Sequence, residues 1–263
     1  MHNLWDERYA GEEYFFGTEP NAFLVSQRHL LKPGMSCLAV ADGEGRNGVW
    51  LAQQGLQVLS VEASRVALEK AQKLARQRRV TDGTTDETTD KTTSHLTNPA
   101  KDAGQVIGYS HSAMLPKNGS QAAGYSHLTR LPNYASQVIG YVEFEQADLA
   151  QWEWGENRFD VVAAIFIQFA PPALREQMFE GIKRCLKPGG LLLLQGYTPR
   201  QLEYKTGGPP VAENMYTEAL LRKSFGDMEI LHLREHDEHI GEGTGHSGMS
   251  ALIDLVARSY NSR

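Results

Sequence analysis

The sequence predicts a doubly wound α/β fold: a mostly parallel, seven-stranded sheet with helices on both faces and a C-terminal antiparallel strand hairpin. Three observations predict it. Short apolar runs alternate with segments of helical period along most of the chain. The first run leads directly into a glycine-rich turn, Asp42-Gly43-Glu44-Gly45-Arg46-Asn47-Gly48, that opens a helix. The last two strand-like runs are separated only by GEGTGHSG, a turn too short for a crossover, so they pair as a hairpin.

Each element follows from its residues. CLAVA at 37–41 is a buried strand. RNGVWLAQQG at 46–55 has a helical apolar period and stops at Gly55, a residue suited to ending helices. QVLSVE at 57–62 is a second strand, and SRVALEKAQKLARQRR at 64–79 is an amphipathic helix with Ser64 as N-cap and a cationic, solvated end. YVEFEQADL at 141–149 alternates like a strand. FDVVAAIFIQF at 159–169 is a continuous apolar run, as a central strand covered on both faces requires. PALREQMFEGIKRCLKPGG at 172–190 reads as a helix closed by Pro-Gly-Gly, LLLLQGY at 191–197 as a buried strand, and TEALLRKSF at 217–225 as a helix. MEILHLREHDEHI at 228–240 and GMSALIDLVARSY at 248–260 complete the hairpin. Such alternation implies right-handed crossovers, with ligands at the carboxyl ends of the strands.

The 263 residues are expected to form one domain, with an N-terminal helical region at 1–36 and a core at 37–79 and 141–260. Between the core segments lies an insertion at 81–140. It starts TDGTTDETTDKTT and continues as three 16-residue units, 94–109, 110–125 and 126–141, ending in Tyr109, Tyr125 and Tyr141. The units carry few large apolar side chains, so they cannot offset their ordering entropy and are expected to be flexible. The insertion joins a helix to the start of the next strand, which puts it at the end opposite the ligand. His95, His111 and His127 recur in it, but no Cys or carboxylate stands at ligand spacing, so no metal site is expected.

The net charge of −6 argues against bulk nucleic acid and anionic membranes as partners. No apolar run approaches the ~20 residues of a membrane span, and the charged, aromatic N-terminus lacks the apolar stretch of a secretory signal. Two scattered cysteines, Cys37 and Cys185, suit a reducing compartment. Together these make a cytoplasmic location the expectation. Oligomeric state is not legible.

Gly43 and Gly45 let the backbone turn sharply and approach a ligand closely. Glu62 ends the second strand about 20 residues further on, where an acid accepts hydrogen bonds from both ribose hydroxyls. NAD and S-adenosylmethionine fit these two features equally. Three others separate them. Arg46-Asn47 crowds the turn where a pyrophosphate needs free amides. Asp148 ends the third strand, suited to an adenine amino group. The tail is a hairpin where a dehydrogenase would continue into a substrate domain.

LAVADGEGRNGVWLAQQGLQVLSVEAS, QADL, FDVVAAIFIQF and LKPGGLLLLQGY resemble the successive motifs of class I S-adenosylmethionine-dependent methyltransferases, which share a Rossmann-like core. WDERYAGEEYFFGTEPNAFL, GEGRN and LEYKTGGP are similar to small bacterial methyltransferases of the tellurite-resistance and thiopurine type. The resemblance covers 1–79 and 142–258. It implies S-adenosyl-L-methionine as cofactor, a small-molecule methyl acceptor, and an N-terminal lid carrying Tyr9, Tyr14, Phe15 and Phe16, of which Tyr14 and Phe16 are expected to touch the cofactor. The implied cofactor contacts are Ala41, Asp42, Gly43, Gly45 and Asn47 in the first loop, Glu62 and Ala63 after the second strand, Asp148 and Leu149 after the third, and Ile165 and Phe166 on the fourth. Two positions depart from the pattern: Ala39 replaces the usual acid and Ala41 the first glycine, leaving Asp42 or a backbone group to hold the methionine amino group.

Methyl transfer from a sulfonium is an in-line displacement that needs alignment and exclusion of water. Gln168, Tyr197 and His246 are the residues expected to face the acceptor. No clear general base emerges, which suits a thiol, selenium or tellurium acceptor that needs little deprotonation. The tetrad expected for amino methylation is absent; the chain reads IQFAPP there. An NAD(P)-linked oxidoreductase and a non-catalytic, cofactor-sensing scaffold are the alternative readings.

Overall fold

The computed structural model describes residues 2–82 and 140–260. Most of the repeat segment, including His95, His111 and His127, lies outside the described residues. Strands β1 (Ser36–Val40), β2 (Gln57–Glu62), β3 (Thr81–Asp82), β4 (Tyr141–Gln146), β5 (Phe159–Ile165), β6 (Leu186–Tyr197), β7 (Glu229–Glu242) and β8 (His246–Arg258) form one sheet in the order β3-β4-β2-β1-β5-β6-β8-β7. β8 runs antiparallel to both β6 and β7, and the other pairings are parallel. The expected seven strands and their closing hairpin are therefore present, with β3 as a two-residue addition at the edge. Thr81 and Asp82, assigned from sequence to the insertion, belong to the sheet because they pair with Tyr141 and Val142.

Helices α3 (Arg46–Gln53) and α4 (Arg65–Gln77) cover one face; α5 (Pro172–Cys185) and α7 (Glu218–Phe225) cover the other. The period-2 alternation of the central strands supplies both cores. Cys37, Ala39, Val161 and Ala163 pack with Val49, Leu51 and Leu74, while Leu38, Val40, Val162 and Ala164 pack with Phe179, Ile182 and Phe225. Both cysteines are buried and unpaired.

Caps fix the helix ends. Ser64 Oγ accepts from Ala67 N at 3.2 Å and Thr217 Oγ1 from Leu220 N at 3.1 Å. Gly55, at φ +90°, follows α3 as its composition predicts. Pro-Gly-Gly does not close α5. That helix stops at Cys185, and β6 already starts at Leu186, with a register shift opposite Phe159 and Val161 that accommodates the extra residues.

Trp154 sets the spacing of α5. Its indole lies against Gly181, where a Cβ would stand 2.6 Å from Trp154 Cγ. Gly181→Ala is expected to lower stability by about 1–3 kcal/mol through overpacking, read as a reduced urea midpoint. An unchanged midpoint would show that the indole swings aside freely.

Candidate functional site

The parallel registers of β1 with β2 and β5 bring Ala41, Glu62 and Phe166 to one edge of the sheet. Ala41 leaves β1 at φ +47°, and Gly43 and Gly45 continue at +58° and +85°. Such backbone costs a non-glycine residue about 1–2 kcal/mol, so the loop concentrates its glycines here. Space matters as well: a Cβ at Gly45 would lie 2.6 Å from Ala71 Cβ on α4, and one at Gly43 would lie 2.9 Å from Tyr9 Oη.

The two carboxylates of this edge have different partners. Glu62 Oε2 accepts from Gly43 N at 2.9 Å, while Oε1 accepts from Ala63 N at 2.9 Å and Ser64 N at 2.8 Å. Burial raises its carboxyl above the usual range, against the pull of those three N–H groups. Asp42 is half-buried as a residue, but its carboxylate turns under the loop. It accepts from Gly48 N at 3.1 and 3.2 Å and from Ser60 Oγ at 2.9 Å. It therefore caps the first turn of α3. Burial pushes its carboxyl up to about 7, opposed by the Ser60 and Gly48 bonds and reinforced by the Glu62 charge. A side chain at Gly48 would overlap Asp42 Oδ2.

The N-terminal segment crosses this edge. Its helix α1 (His2–Tyr9) rests on α4, where Asp6 accepts from Ser64 Oγ. Tyr9 is buried, with its hydroxyl over Gly43. Glu44 fastens the next turn by accepting from Phe15 N at 2.7 Å and pairing with Lys70 Nζ at 2.7 Å. Phe15 O in turn accepts from Thr244 N and Gly245 N in the hairpin turn, at 2.9 and 3.0 Å.

On the far side four rings meet. His246 lies 4.4 Å from Phe16 and 4.3 Å from Phe166, and Phe166 lies 4.8 Å from Tyr197, centroid to centroid. Among the described residues the Tyr197 hydroxyl is buried without a hydrogen-bond partner; neighbouring Ser250 donates to the Gly248 carbonyl at 3.2 Å. Burial pushes this phenol up. Beneath the rings, Arg46 Nη2 donates to Glu242 Oε2 at 2.6 Å and Asn21 Nδ2 donates to Glu242 Oε1 at 2.9 Å. His246 Nδ1 stands 3.5 Å from Glu242 Oε2. Burial would raise the Glu242 carboxyl, but His246 and Arg46 outweigh it and hold it near about 2.

Residues 126–190 match the family model described as a methyltransferase domain. Across the whole chain, the N-methyltransferase NodS from Bradyrhizobium japonicum, solved with S-adenosyl-L-homocysteine, superposes with a TM-score of 0.56 at 9% identity, covering 98% of this chain and 97% of its own. The chain has the class I methyltransferase fold. A structure from work on converting a disulfide bond into a thioacetal group during echinomycin biosynthesis gives a TM-score of 0.63 at 16% identity over 100% of this chain and 93% of its own. TehB from Haemophilus influenzae gives 0.55 at 12% identity over 98% and 66%. No curated protein matches the sequence.

Within this methyltransferase fold the sequence-predicted residues fall into three groups. Gly43, Gly45, Glu62 and Ala63 form the loop edge. Ala41, Asp42, Asn47 and Ile165 line a small cavity with Ala39 and Ala163. Phe16, Phe166, Tyr197 and His246 form the ring cluster. The others stand apart. Tyr14 leans on α4, donating to Lys70 O at 3.0 Å. Asp148 is exposed and accepts from Ala150 N at 3.0 Å, closing the turn beside buried Leu149. Gln168 grips the backbone of Tyr197, accepting from its N at 2.6 Å and donating to its O at 2.8 Å, so it fixes Tyr197 in place. His246, expected in a turn, opens β8 and is buried, because the hairpin strands extend to Glu242 and His246 around a tight turn at 243–245.

Tyr9, one of the aromatics expected in the N-terminal lid, stands over the loop, whereas sequence reading missed Glu44, Arg46, Asn21 and Glu242 as a buried polar framework. Glu242 alone left a signal: continuing the alternation of β7 past residue 240 would have placed it on the strand.

Proposed function

We propose that the chain is a methyltransferase that binds S-adenosyl-L-methionine at the 42–48 loop and Glu62 and methylates a small-molecule acceptor. The observation that carries this reading is the Glu62 carboxylate, set opposite Gly43 N at the end of β2. There Oε2, which accepts only from Gly43 N, keeps room for a ribose hydroxyl in a charge-assisted bond. The surroundings fit the group. Gly43 and Gly45 bend the loop tightly at φ +58° and +85°, and the clustered π faces of Phe16, Phe166 and Tyr197 suit a cationic sulfur. The buried Tyr197 hydroxyl, which has no hydrogen-bond partner among the described residues, is a polar group an acceptor can satisfy.

When bound, the cofactor supplies an electrophilic methyl group on a sulfonium. The protein's own residues do the rest. Glu62 and the loop amides orient the donor, Tyr9 and the 13–17 turn shut out water, and Gln168 holds Tyr197 toward the acceptor. Arg46 weighs against a dinucleotide, because its guanidinium is engaged by Glu242 and by Glu19 O at 3.3 Å and so is not offered to a pyrophosphate. Isothermal calorimetry provides the test. S-adenosylhomocysteine is expected to bind in the micromolar range and NADH not to bind; the reverse pattern sinks the reading. Incubation with methyl-labelled cofactor and a metabolite extract then identifies the acceptor by mass spectrometry. No helix among the described residues is long and apolar enough to cross a membrane.

A further inference from the structure

Resting on that reading, we propose that Glu242 and His246 act as a general-base pair: His246 Nε2 takes the proton of the acceptor's nucleophile, and Glu242 is its positioning residue. The acceptor is then a small alcohol or phenol, not an already ionised soft anion.

The geometry fixes the tautomer. An ionised Glu242 can only accept, so the nitrogen facing it at 3.5 Å, Nδ1, carries the imidazole proton. That leaves the lone pair on Nε2, which makes no hydrogen bond among the described residues. The 3.5 Å contact lies at the outer reach of a hydrogen bond. Glu242 itself is pinned from two other elements, by Arg46 on α3 and by Asn21 from the N-terminal segment. A carboxylate placed only to neutralise Arg46 would not need to touch the one histidine in the ring cluster.

The Tyr197 hydroxyl, buried and without a hydrogen-bond partner among the described residues, belongs to the ring that packs edge-on against His246 at 5.6 Å between centroids. The acceptor's hydroxyl enters beside these two rings. The titratable and charged groups facing His246 are Glu242 on β7, Arg46 on α3 and Tyr197 on β6; the N-terminal segment presents the Phe16 ring and the loop above it presents Gly207. Burial lowers the imidazole's pKa, Glu242 raises it and Arg46 lowers it. The net effect is a neutral ring at neutral pH, the form a base requires.

The step balances. Nε2 accepts the hydroxyl proton while the oxygen's electron pair forms the bond to the methyl carbon, and the old carbon–sulfur pair leaves with the neutral thioether. The imidazolium then returns its proton to water.

The test uses the full chain with 15N-labelled histidine, the His246 signals being assigned by their loss in His246→Gln. Three results are expected. Wild type shows Nδ1 protonated and Nε2 bare at pH 7. Glu242→Gln lowers the His246 pKa, because the charge that raises it is gone. His246→Gln binds S-adenosylhomocysteine but loses at least about 100-fold in label transfer to the metabolite extract, the usual worth of a general base. If Glu242→Gln does not fold, Glu242→Asp keeps the charge for Arg46 while withdrawing it from Nδ1, and the same pKa drop is expected. A proton on Nε2 in wild type, an unmoved His246 pKa in the Glu242 variant, or wild-type transfer by His246→Gln overturns the base pair and leaves the cofactor reading standing. Failure of wild type to bind S-adenosylhomocysteine overturns that reading instead.

Discussion

Glu62→Ala is expected to weaken S-adenosylhomocysteine binding about 10–100-fold. A hydrogen bond from a ribose hydroxyl to a carboxylate is worth about 1.5–3 kcal/mol, and ~2.7 kcal/mol corresponds to 100-fold. The same carboxylate also receives Gly43 N, Ala63 N and Ser64 N. Its removal leaves three N–H groups to find water, so a loss of about 2 kcal/mol in stability accompanies the loss of affinity. Glu62→Gln separates the two effects. It keeps the shape, but one of its ends becomes a donor facing Gly43 N or the Ala63–Ser64 pair. Calorimetry on a variant shown to be folded by circular dichroism decides the matter: an affinity within a few-fold of wild type in both variants would remove Glu62 from the cofactor site.

Why Glu62 was legible and Glu242 was not has a physical answer. Glu62 follows a short parallel strand whose apolar run ends cleanly, and the glycine loop before it fixes where the site must lie. Local pattern and global position agree there. The same holds for Ser64, whose hydroxyl caps α4 as its sequence position implies. Glu242 lies in a stretch dense with Glu, His and Gly, and what makes it special is the approach of Arg46, 196 residues away. Partners that distant in sequence meet only because β8 inserts between β6 and β7, and strand order is not written in local periodicity. Glu44 is hidden for the opposite reason. It sits inside the motif everyone would inspect, yet a residue flanked by two glycines reads as solvent-facing until Lys70 and the Phe15 amide close over it. Gln168 shows a third case. It lies past the fourth strand as its sequence position implies, and its side chain is oriented by the backbone of β6. The Pro-Gly-Gly at 188–190 misled because a helix stop and a strand irregularity use the same residues.

Asp42→Asn is expected to make the protein more stable above pH 7 and no more stable near pH 4. The sign follows from proton binding. The folded carboxyl titrates near about 7, against an ordinary value of 3.8. Below pH 4 both the folded and the unfolded chain hold the proton. Between pH 4 and 7 the unfolded chain has released it while the folded one has not, so stability falls as pH rises. Above 7 the full penalty, at most about 4 kcal/mol, is in force. Asparagine has no charge to bury. Its Oδ1 still accepts from Gly48 N, and its amide can donate to Ser60 Oγ, so the cap on α3 survives. The net gain at pH 8 is about 1–3 kcal/mol once the weaker neutral hydrogen bonds are discounted. Urea titrations of both proteins at pH 4.5 and 8 measure it. Equal pH slopes would mean that the Asp42 carboxylate is already ionised at pH 5 in the folded state. The variant also bears on function. Both Asp42 oxygens face Gly48 and Ser60 beneath the loop, so S-adenosylhomocysteine affinity is expected to stay within a few-fold, and a backbone group is left to hold the methionine amine. A drop of 100-fold would instead show that the ligand's ammonium draws this carboxylate out of its cap, lowering its pKa on binding and releasing a proton that calorimetry in buffers of different ionisation enthalpy would detect.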